Sequence, residues 1–139
     1  MIDHPRFTLN RGAVILRYKQ PFVDWLKTND PASCNLTLEE INNDDGEVFL
    51  IQDELSEPAD NRETVVRWVE KRWRMFFEHM LGDWLDDEAL WPRKLSLKMF
   101  RDWFCIEYLS MVWDMGQEPL SVEDWDDFND EIEIIGTLH

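Results

Sequence analysis

The sequence is poor in cysteine, glycine and histidine, and its last stretch has no positive charge. The two cysteines, Cys34 and Cys105, have neither metal-ligand spacing nor a Cys-x-x-Cys pair. They read as reduced thiols of a cytoplasmic protein, a single Cys34–Cys105 bridge being the alternative. Five glycines form no phosphate-cradling loop and no Gly-x-Ser-x-Gly elbow. That removes the commonest nucleotide-binding and acyl-transfer signatures. No apolar run approaches the roughly 18 residues needed to span a bilayer. The opening Met1-Ile2-Asp3-His4-Pro5 has no charged segment followed by an apolar one, so no secretory signal is expected.

Positive charge is missing where it would matter most for nucleic acid. No Lys or Arg occurs from Asp102 onward, against eleven of the thirty acids. The net charge is −16, and all fourteen bases lie in the first 101 residues. Direct binding to nucleic acid or an anionic membrane is therefore disfavoured, since both reward basic patches. A basic protein surface or a metal ion suits such a field better.

What the chain has in quantity is aromatic side chain. Eight Trp, eight Phe and two Tyr in 139 residues, with 44% hydrophobic content, give enough apolar area for one folded domain. Residues 61–85 organise it. Val65, Val69, Trp73, Phe76, Met80 and Trp84 recur at steps of three and four, widened by Val66, Phe77 and Leu81. That spacing predicts one long core-facing helix. Gly82 sits just past its end, or else the helix runs on to Leu85.

The other elements follow in order. Asn10, Arg11 and Gly12 read as a turn, and residues 13–18 as a strand. Gln20-Pro21 opens a short helix with Phe22, Trp25 and Leu26 on its buried face. Thr37-Leu38-Glu39-Glu40 fits a reciprocal capping box. Residues 47–52 read as a second strand, and 54–60 as a loop. Asp60 and Asn61 cap the long helix. Ser96 caps a helix carrying Leu97, Phe100, Trp103 and Phe104. Residues 105–115 alternate and predict a third strand, although they could extend that helix. Ser121 opens a short acidic helix with Trp125 and Phe128, and Ile132, Ile134 and Ile135 form a brief β-like run. The expected fold is α+β: a small three- or four-stranded sheet with one long and one shorter helix packed on a face. Residues 1–116 form the domain, and residues 117–139 an acidic extension packed on it or on a partner.

The run Asn10-Arg11-Gly12-Ala13-Val14-Ile15-Leu16-Arg17-Tyr18-Lys19-Gln20-Pro21-Phe22, followed by Trp25-Leu26, resembles the opening of a family of small acidic bacterial proteins. Trp91-Pro92, Phe100, Trp103-Phe104 and Ser110-Met111-Val112 are similar to it as well. The resemblance covers residues 10–115. It implies a bacterial cytoplasmic protein and carries no activity, ligand or site.

Candidate sites are few. Acids surround Gly46, but an EF-hand centred there would need oxygen ligands at Ile41 and Gln52. His79 has Glu78 and Asp83 near it, yet no second His at helical spacing, so no metal or cofactor is expected. Thirty acids always offer pairs, and no catalytic residue is assigned. Arg67, Lys71 and Arg74 mark a basic helix face, with Arg62 and Arg72 nearby and Glu63–Arg67 and Glu70–Arg74 as supporting pairs. That face could also receive the acidic C-terminal segment. Arg17 and Lys19 flank a strand-to-helix junction that could hold an anion. Trp125 and Phe128, among acids, could anchor a partner. The leading expectation is a non-enzymatic protein-interaction domain. The alternatives are a nucleic-acid mimic that inhibits a DNA-binding protein, and a small-molecule-binding or enzymatic function.

Overall fold

The computed structural model describes residues 6–44, 46–52 and 62–124. The expected loop at 54–60, the caps Asp60 and Asn61, Trp125, Phe128 and the isoleucine run lie outside these residues. The chain divides into two compact units, one formed by Leu9–Val112 and the other by the residues on either side of it.

In chain order the strands are β1 (Phe7–Thr8), β2 (Arg11–Tyr18), β3 (Phe49–Gln52), β4 (Phe104–Leu109) and β5 (Trp113–Asp114). The helices are α1 (Gln20–Asn29), α2 (Leu38–Asp44), α3 (Arg62–Lys71), α4 (Trp73–Trp84) and α5 (Leu97–Trp103). The fold class is α+β.

Within Leu9–Val112, β2 is the centre of an antiparallel sheet of order β3-β2-β4. Alternation along the strands puts Val14, Leu16 and Tyr18 on one face, opposite Tyr108, Ile106 and Phe104 of β4. That face carries the core. Phe22, Val23 and Leu26 of α1, Ile41 of α2, Val65 and Val69 of α3, Phe77 and Leu81 of α4 and Phe100 of α5 close over it, all fully buried. Each such side chain contributes about 1.5–3 kcal/mol by leaving water. Phe22, Phe77, Phe100, Trp103 and Phe104 meet in tilted and edge-on pairs with centroids 5.3 to 5.9 Å apart. These are the offset arrangements that ring quadrupoles favour.

The caps form as their residues dictate. Thr37 Oγ1 accepts from the Glu40 N–H at 3.1 Å, while Glu40 Oε1 accepts from the Thr37 N–H at 3.1 Å. Ser96 Oγ accepts from the Met99 N–H. The α1 helix starts at Gln20-Pro21 and buries Phe22, Trp25 and Leu26, together with Val23. The alternating stretch after Trp103 is strand from Phe104 to Leu109, and Leu109 and Cys105 are exposed on the outer face.

Two expectations change, and one open alternative is decided. Arg11 and Gly12 are strand, not turn, because β3 pairs with them: Arg11 sits opposite Gln52 and Gly12 opposite Ile51. Gly82 lies inside α4, which runs on to Trp84. The single long helix is two helices, α3 and α4, broken at Arg72. No Gly or Pro stands there. The Arg72 side chain folds back at the break: Nη1 donates to the Trp68 carbonyl at 3.1 Å, and the guanidinium lies 3.9 Å from the centre of the Trp68 ring. The Arg72 N–H turns to Val69 O instead, at 2.9 Å. A side chain inserted into the hydrogen-bond ladder is a recognised origin of such a bend. In place of one long and one shorter helix, the described residues form three helices of ten to twelve residues and two of seven.

The second unit is described over residues 6–8 and 113–124. There β1 pairs antiparallel with β5, Phe7 opposite Asp114 and Thr8 opposite Trp113. None of its described residues is buried.

Candidate functional site

The structure gathers Glu47, His79 and Asp83. The helix α4 places His79 and Asp83 four residues apart, hence on one face. Glu47 comes from the segment that leads into β3. His79 Nε2 lies 3.1 Å from Glu47 Oε2, 3.2 Å from Glu47 Oε1 and 3.5 Å from Asp83 Oδ2. One metal-ligating atom from each of the three falls within 4.8 Å of the others. The His79 ring stands edge-on to Phe49, with centroids 5.3 Å apart, and this contact helps to set its orientation.

The two carboxylates are pushed apart in acidity. Burial raises Asp83, and a hydrogen bond with Glu47 adds to it, bringing it up to about 7. Burial acts in the same direction on Glu47, but hydrogen bonds from Asp83 and His79 outweigh it and hold Glu47 below its ordinary value. The pair thus shares a proton in the way that neighbouring acids do. Beside it opens a cavity of about 270 Å³ lined by Tyr18, Gly46, Glu47, Asp83 and Trp84. Trp84 Nε1 donates to the Tyr18 hydroxyl at 2.9 Å and fixes that wall.

The sequence pointed to His79 and Asp83 but named Glu78 as their neighbour. Glu78 instead lies 3.7 Å from Arg74. Glu47 is 32 residues from His79 in sequence. The signal that could have found it is its place just ahead of a strand whose Phe49 must reach the core beside α4.

Arg17 and Lys19 are engaged with the protein itself. Arg17 Nε donates to Glu107 at 2.8 Å, diagonally across β2 and β4, and Nη1 to Asn42 O at 3.4 Å. Lys19 Nζ donates to Arg101 O at 3.1 Å, and its N–H to Trp103 O. The junction therefore directs its two cations to different acceptors.

The basic helix face is also rearranged. Arg62 donates to Ile106 O on the edge of β4, at 2.7 Å. The expected Glu70–Arg74 pair is replaced by a two-pronged contact in which Arg101 Nε and Nη2 both donate to Glu70 at 2.9 Å.

A second hollow of about 610 Å³ is lined mainly by Pro21, Trp25, Leu90, Trp91, Met99 and Trp103. It is open and shallow, and the indole N–H groups of Trp25 and Trp91 donate to Leu90 O and Leu85 O. Among the described residues no helix is long and apolar enough to cross a membrane. Comparison with protein families, with curated proteins and with solved structures finds no match to this chain.

Proposed function

We propose that the chain is a non-enzymatic, cytoplasmic interaction domain of bacterial origin that recognises a basic protein partner. One observation carries the reading. In the unit outside Leu9–Val112, every large apolar side chain described is exposed. Phe7, Trp113, Met115 and Leu120 are 53 to 60% exposed and Val122 is 47% exposed. Single exposed apolar residues are ordinary, but a run of them on a unit with no buried residue among those described is not. A two-stranded pairing is marginal by itself. Asp114, Glu118, Glu123 and Asp124 interleave with these residues, and no base follows Arg101. Large apolar anchors among carboxylates complement a basic surface that carries an apolar hollow. Trp125 and Phe128 extend the same sequence pattern.

The test is a tagged pull-down from nuclease-treated lysate of the source cells at low and high salt, run beside a Trp113→Ser/Leu120→Ser double variant. The expected result is a stoichiometric basic protein that is lost at high salt and lost with the variant. A nucleic-acid-binding protein behaving this way would extend the reading to nucleic-acid mimicry. No partner at any salt, or a partner that the variant fully retains, overturns the proposal.

A further inference from the structure

We infer that Glu47, His79 and Asp83 bind one divalent transition-metal ion, with Zn²⁺ as its reference occupant. The argument starts from distances. An ion about 2.0–2.2 Å from each nitrogen or oxygen ligand holds those ligands about 3.0–3.5 Å from one another. His79 Nε2 already lies 3.1 Å from Glu47 Oε2 and 3.5 Å from Asp83 Oδ2. Two of the three donor–donor separations already stand at the edge lengths of a coordination polyhedron, and the third lies within 4.8 Å.

The donor set is chemically selective. One imidazole and two carboxylates suit Zn²⁺, Mn²⁺ or Fe²⁺, whereas Ca²⁺ and Mg²⁺ call for oxygen alone. Among the described residues no Lys or Arg forms an ion pair with Glu47 or Asp83. Among these residues the two carboxyl groups therefore have only each other and the imidazole as charged neighbours, and a dication would take the place of the proton they share.

The supports are well placed. His79 and Asp83 stand on one face of α4, and Glu47 leads into the paired strand β3. The three side chains are 35 to 45% exposed, so an ion has an open entry. Three protein ligands leave at least one position vacant, and the 270 Å³ cavity between Tyr18 and Trp84 adjoins them. That arrangement suits a site that keeps water or a small anion on its metal. Bound metal would also tie the segment before β3 to α4, and so raise the stability of the folded chain.

The probe is Zn²⁺ alone, titrated by calorimetry into the full chain after EDTA treatment, with Co²⁺ absorption as the geometric readout. The expected result is one equivalent bound, a rise in thermal midpoint, and a Co²⁺ spectrum without thiolate charge transfer. His79→Ala and Asp83→Asn should each weaken binding by about tenfold or more. Asp83→Asn keeps the side-chain shape, and circular dichroism verifies that it folds. Glu78→Gln, on the same helix but paired with Arg74, should bind as the parent does. A Cys34→Ser/Cys105→Ser chain should also retain the site, since both thiols are exposed and could take Zn²⁺ themselves. Absence of one-to-one binding, binding that survives in His79→Ala, or binding that disappears with the cysteines overturns the assignment.

Discussion

The side-chain amide of Asn42 pairs with both backbone groups of Tyr18. Its Oδ1 accepts from the Tyr18 N–H at 2.9 Å, and its Nδ2 donates to the Tyr18 carbonyl at 3.1 Å. β3 pairs only with residues Arg11 to Val14 of β2, so the far end of β2 has no strand on that side. One amide of α2 stands in for the missing neighbour. Asn42→Ala removes both hydrogen bonds from part-buried backbone groups and should cost about 1–3 kcal/mol. Urea unfolding with an unchanged slope is the measurement, and an unaltered midpoint would contradict the role.

Gly12 should tolerate alanine poorly. A methyl there would come within 2.7 Å of Tyr108 Cε1 and 3.0 Å of its hydroxyl oxygen. Gly12→Ala is expected to cost about 1–3 kcal/mol through this overlap. In a Tyr108→Ala background the cost should vanish or reverse, because alanine otherwise favours ordered backbone over glycine. A double-mutant cycle reads the coupling directly.

The caps give a simpler expectation. Thr37→Ala and Ser96→Ala each remove a side-chain acceptor from a helix start. Each should destabilise by about 0.5–2 kcal/mol, and the two losses should add because they belong to separate helices.

Stability of the metal-free chain should respond to pH in two opposed ways. Asp83, raised by burial and by its hydrogen bond with Glu47, titrates near 7 in the folded chain against 3.8 when unfolded. Between those values the folded state keeps a proton that the unfolded state has released. Stability therefore falls as pH rises through that window, and Asp83→Asn should flatten the slope. Glu70 behaves oppositely, because its hydrogen bonds from Arg101 hold it below 4.5. Its contribution is present above 4.5 and is lost as pH falls through the lowered folded value, an acid limb that Glu70→Gln should reduce. Glu47, also lowered, adds to that limb. Thermal melts in EDTA from pH 3 to pH 8 check both arms.

Local rules carried the sequence far wherever the physics is local. The Thr37 and Ser96 caps, the buried face of Phe22, Trp25 and Leu26, and the alternation from Cys105 to Leu109 depend on residues within one or two turns. The break at Arg72 was hidden because the helix carries no Gly or Pro there, and a side chain folding back on the Trp68 carbonyl leaves no mark in periodicity. Gly12 read as a turn because Tyr108, the ring that explains it, is 96 positions away. The site shows the same division. His79 and Asp83 were visible at helical spacing, while Glu47 reaches them only through the tertiary placement of β3. Arg17 and Lys19 were read as a pair because they are near in sequence, and the acceptors that separate them, Glu107 and Arg101, come from the far end of the chain.

The close approach of Tyr108 to Gly12 bears on which structure forms, beyond how stable it is. Alternating apolar residues tell a strand which face to turn inward, but a slip of two residues keeps every face unchanged. Such a slip of β2 against β4 would bring Asn10 or Val14 beneath the Tyr108 ring, where a side chain has no room. The absent methyl of Gly12 thus acts as a key cut for one alignment. It disfavours the misaligned sheets that hydrophobic pattern alone would accept.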